Sequence, residues 1–83
     1  MESTKKLALA IMGRCEEMMN DARLRIEVAD GCWLLLEAQI KESGGMLDLD
    51  GLEEFAEIHR ERGSAYELMQ AARDMSAEVA RAL

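Results

Sequence analysis

Six carboxylates, Glu42, Asp48, Asp50, Glu53, Glu54 and Glu57, follow one another with no cation between them. Such a run can hold a hard cation, dock a basic protein patch, or supply the negative charge that suits a helix N-terminus. Counted from Met46, the residues Asp48, Asp50, Gly51 and Glu57 fall at positions 3, 5, 6 and 12 of the calcium-loop pattern. Two positions fail: Met46 stands where the first carboxylate belongs, and Glu53 where an apolar residue belongs. Helix-start chemistry accounts for Asp50, Glu53 and Glu54 without any ligand, since Asp50 and Glu53 form a capping box.

His59 is the only histidine. A histidine hydrolase would need a nucleophile and an orienting carboxylate beside it. A di-metal helical bundle would need a glutamate three residues earlier, where the chain has Ala56. His59 therefore reads as an interfacial or partly buried side chain. Cys15 and Cys32 lack CxxC or metal-ligand spacing. On one straight helix they would lie about 25 Å apart, too far to bond, and they read as reduced thiols. Cys15, beside Glu16 and Glu17, lacks the cationic surroundings of a nucleophilic thiol. With no Gly-rich phosphate loop either, the expectation is a protein that is not an enzyme and uses no cofactor.

The elements that position these residues are easier to read. Ala8, Met12, Cys15, Met19, Ala22, Ile26, Ala29, Trp33, Leu36 and Ile40 are spaced alternately by four and three residues, and all are apolar. Residues so spaced share one helix face. Small residues alternate with large ones for most of its length, which suits close approach of a second helix. Ser3 or Thr4 can cap this helix, which runs from about 4 to 42 and ends at Ser43-Gly44-Gly45. Gly31 is a place for a bend. The second arm spans about 51–82, with Leu52, Phe55, Ala56, Ile58 and His59 on its buried side. Ala65, Leu68, Met69, Ala72, Met75, Ser76, Val79 and Leu83 continue that side. Gly63-Ser64 is the place for a kink, because Ser64 and Glu67 make a further capping box.

Composition agrees. The 83 residues contain no proline and six glycines, and 49% are hydrophobic, so the class is all-α and one domain spans 1–83. The net charge of −7 argues against nucleic acid as a partner. Lys5 and Lys6 before a short apolar run imitate a signal peptide, but Arg14, Glu16 and Glu17 interrupt it early. No run approaches the roughly 18 apolar residues of a membrane span. A cytoplasmic protein is expected.

Between Leu24 and Ile40 the apolar surface widens. Leu24, Val28, Cys32 and Leu35 form a second row, and Leu34 stands on the otherwise polar face. One neighbouring helix cannot cover so much circumference. A long helical hairpin that dimerises into a four-helix bundle follows, antiparallel so that the acidic turn lies near Lys5, Lys6 and Arg81 of the other chain. Trp33 with Met12, Met18, Met19, Met69 and Met75 forms a repackable core or an adaptable groove. The function expected is a small acidic interaction module of the bacterial or phage kind, an adaptor, antiactivator or inhibitor. It would bind a basic or apolar patch of another protein through Leu34, Glu42, Asp48, Asp50, Glu53, Glu54 and Glu57. The alternative is a bundle that senses a metal or small ligand. No motif ties the chain to a family residue by residue.

Overall fold

The computed structural model describes residues 2–82. They form two helices, α1 (Glu2–Glu42) and α2 (Leu49–Ala82), packed antiparallel as a hairpin 64 Å long and 15 by 14 Å across. The radius of gyration is 18.6 Å, against about 12 Å for a compact chain of this length.

Burial recurs every seven residues. In α1 the buried positions are Ala8, Cys15, Ala22, Ala29 and Leu36; in α2 they are Gly51, Ile58, Ala65 and Ala72. A sustained seven-residue repeat is the signature of two helices supercoiled about each other. The buried set is mostly small, so the axes can approach closely. The larger seam residues Met12, Met19, Ile26, Trp33 and Ile40 are only half-buried beside it. The widest packing is near the turn, where Ala29, Leu36 and Ile58 cluster with Trp33, Ile40 and Leu47.

The turn closes with a Schellman motif. Gly45 N–H donates to the Ile40 carbonyl (2.8 Å) and Gly44 N–H to that of Lys41 (3.2 Å). Both glycines have positive φ, +78° and +86°. The Ser43 hydroxyl oxygen lies 3.0 Å from the Ile40 carbonyl and 2.9 Å from that of Met46, tying the two sides of the turn.

Some details differ from the sequence reading. The N-cap of α2 is Asp48 rather than Asp50: its carboxylate accepts from Gly51 N–H at 2.8 Å, and its carbonyl from Leu52 N–H at 2.9 Å. Asp50 instead adds charge within the first turn. The helix runs unbroken through Gly63 and Ser64, so the Ser64–Glu67 box caps nothing. One interior glycine costs about 1 kcal/mol, less than the burial of Ile58, Ala65 and Ala72 returns. Helix α1 starts at Glu2, with Ser3 and Thr4 inside it, and passes through Gly31 without a break. Leu52, Phe55, Ala56 and His59 are exposed, and Gly51 takes a buried place instead. Leu83 lies outside the described residues.

Candidate interaction surfaces

A hairpin of two rods has two broad sides, and here they are chemically unlike. One carries a shallow groove of about 360 Å³. Leu24, Arg25, Val28, Ala29 and Cys32 line it from α1, and Glu57, Ile58 and Glu61 from α2. Because burial repeats every seven residues, positions seven apart share a side. Stepping back from Cys32 and Arg25 therefore brings Met18 and Ile11 onto this side, and stepping from Val28 brings Leu35 and Leu7. On α2 the step from Glu61 brings Leu68 and Met75. Leu24, Val28 and Leu35 are 59%, 60% and 69% exposed, and Cys32 is an exposed free thiol.

The other side carries a more polar groove and the ion pair between the helices. A second groove is lined by Met12, Glu16, Met19, Asn20, Arg23 and Ser76. Further toward the turn, Arg62 forms an ion pair with Asp30, the only such pair joining the two helices among the described residues. Arg62 occupies a seam position, four residues after Ile58 and three before Ala65, and its Nε is buried without a partner. The sequence reading missed it, although continuing the four-and-three step along α2 passes through it. Beyond lies an aromatic ladder. Phe55 meets Trp33 edge-on, with centroids 5.3 Å apart, and stacks on His59 at 6.0 Å and 8°. His59 is thus exposed and stacked, not buried.

No family model, curated protein or solved structure matches this chain.

Leu34, 64% exposed, sits one residue after Trp33, about 100° around the helix from both Trp33 and Leu35. Glu42, Asp48, Asp50, Glu53, Glu54 and Glu57 are all exposed at or near the turn, so the structure brings the acidic set to one end of the rod. Two of them have local duties. Asp48 caps α2, and Glu57 accepts from Arg60 at 2.6 Å. Asp50, Gly51 and Glu57 lie on α2 rather than in a loop, so they cannot wrap a cation as the calcium pattern requires. Among the described residues no three His, Cys, Asp or Glu side chains are grouped to hold a metal. No helix of the described residues is long and apolar enough to cross a membrane.

Proposed function

We propose that the chain is a non-enzymatic protein–protein interaction module, an adaptor, antiactivator or inhibitor, working as a homodimeric helical bundle. The observation that carries this reading is the apolar surface the hairpin cannot bury by itself. The chain exposes 6417 Å², whereas a compact monomer of its 9.3 kDa exposes about 5,000 Å². Large side chains from Leu7 to Met75 remain in solvent, while the buried set is dominated by alanine. Covering the excess of about 1,400 Å² on each of two copies would give an interface of the size found in obligate homodimers.

The partner surface is the end of the rod around Leu34. There the Trp33–Phe55–His59 ladder offers apolar area, and the carboxylates from Glu42 to Glu57 offer long-range attraction. A basic or apolar patch on another protein is the complement.

Native mass spectrometry on protein purified gently from its own host tests the proposal. A bound polypeptide that is lost in Leu34→Glu, with helicity and dimer mass retained, is the expected result. Added mass of tens or a few hundred daltons instead would indicate a metal or small ligand and overturn it.

A further inference from the structure

We propose that the groove side, bearing Leu7, Ile11, Met18, Val28, Cys32 and Leu35, is the seat of a second copy of this chain, packed antiparallel so that α1 lies along the partner's α1. This rests on the homodimer part of the reading above, keeps the antiparallel orientation expected from the sequence, and adds the face and the pairing of α1 with α1. Two identical hairpins stacked on this side can be related by a two-fold axis in the interface plane in two ways.

With the axis along the rod, the turns share one end and α1 lies on the partner's α2. Val28, Cys32 and Leu35 would then press on Glu54, Glu57 and Glu61, the residues level with them along the hairpin. Arg60 pairs with Glu57 at 2.6 Å and Arg25 lines the same groove, so the cost of burying these three carboxylates against apolar groups is only partly offset. The two acidic turns would also face each other, which adds like-charge repulsion.

With the axis across the rod, α1 lies antiparallel on α1. A two-fold near the middle of the helix sets Ile11 against Cys32 and Leu7 near Leu35, apolar upon apolar. The Asp21–Arg25 pair of each copy, 3.1 Å within the chain, meets its mate beside the axis, two carboxylates with two cations. Each acidic turn comes to the partner's open end, where Lys5, Lys6 and Arg81 gather. Both arrangements bury groove-side carboxylates and form apolar pairs, and the charge at the two ends of the rod selects the second.

The test has two arms on the full chain. Sedimentation of Leu35→Glu, an exposed position on the groove side, is expected to give monomer where wild type gives dimer, while Leu34→Glu, one residue along, stays dimeric. In the second arm, Ile11→Cys in a Cys15→Ala background is oxidised with diamide. It is expected to form covalent dimers much faster than the Cys15→Ala parent, whose only thiol is Cys32. Positions 11 and 32 are about 32 Å apart on one helix, so the bond must join two chains. Mild oxidation does not depend on how a monomeric variant folds. A wild-type monomer at all concentrations would overturn the homodimer reading itself. A dimer that survives Leu35→Glu would overturn only the face, and one that gains no crosslink from Ile11→Cys would overturn only the orientation.

Discussion

Arg62 is the residue least like its surroundings. It interrupts a seam otherwise made of Gly51, Phe55, Ile58, Ala65, Met69, Ala72, Ser76 and Val79, with its Nη2 paired to Asp30 and its Nε without a partner. A buried donor without a partner is destabilising, and the partly exposed ion pair returns little. Arg62→Met is therefore expected to leave stability unchanged or raise it, because the thioether fills the seam without an unsatisfied donor. Asp30→Ala removes the partner and leaves the cation, and should cost about 0.5–1 kcal/mol. Urea denaturation of both variants checks the signs. Loss of more stability from Arg62→Met than from Asp30→Ala would mean that the pair, not the packing, holds this level of the hairpin.

At the scale of the elements, glycines distinguish the helix from the turn. Gly63 lies inside α2, and a Cβ built on it meets nothing within 4 Å. Gly63→Ala should stabilise by about 0.5–1 kcal/mol through helix propensity alone. A destabilised variant would show that the chain does break there, as Ser64 and Glu67 suggest by sequence. Gly44 also has open space around it, but its φ of +78° is the constraint. Gly44→Ala should cost about 1 kcal/mol by straining the left-handed cap. Thermal melts followed by circular dichroism separate the two. The same comparison explains what was legible. The glycine pair after Ser43 announces a helix end, whereas the Asp50–Glu53 box points to a cap two residues later than the one used. The choice falls to Asp48 because its carboxylate reaches Gly51 N–H once Leu47 packs on the core.

Across the whole molecule, the hairpin is a rod with a thin seam. A chain of 83 residues whose buried positions are mainly alanine has little apolar burial to offset chain entropy. If association completes its core, stability depends on concentration by mass action. The melting temperature should rise as protein concentration is raised a hundredfold. A midpoint that does not move, measured by scanning calorimetry, would mean that the hairpin is stable alone and would uncouple folding from dimer formation.

The amino-acid sequence by itself determined the helices, their turn and the buried stripe of α1. Each is a matter of local spacing: apolar residues three and four apart, glycine after the last helical turn, and no proline. Tertiary structure alone decided that Asp48, not Asp50, caps α2 and that α2 passes through Gly63. It also decided that Phe55, at the edge of the seam, packs between Trp33 and His59, and that Arg62 follows it one heptad later. These depend on how α1 and α2 meet along their length, because a register between two helices is a relation between residues far apart in the chain. Local patterns fix the face of α1, and only packing one rod on the other fixes the face of α2 and which residues share a level.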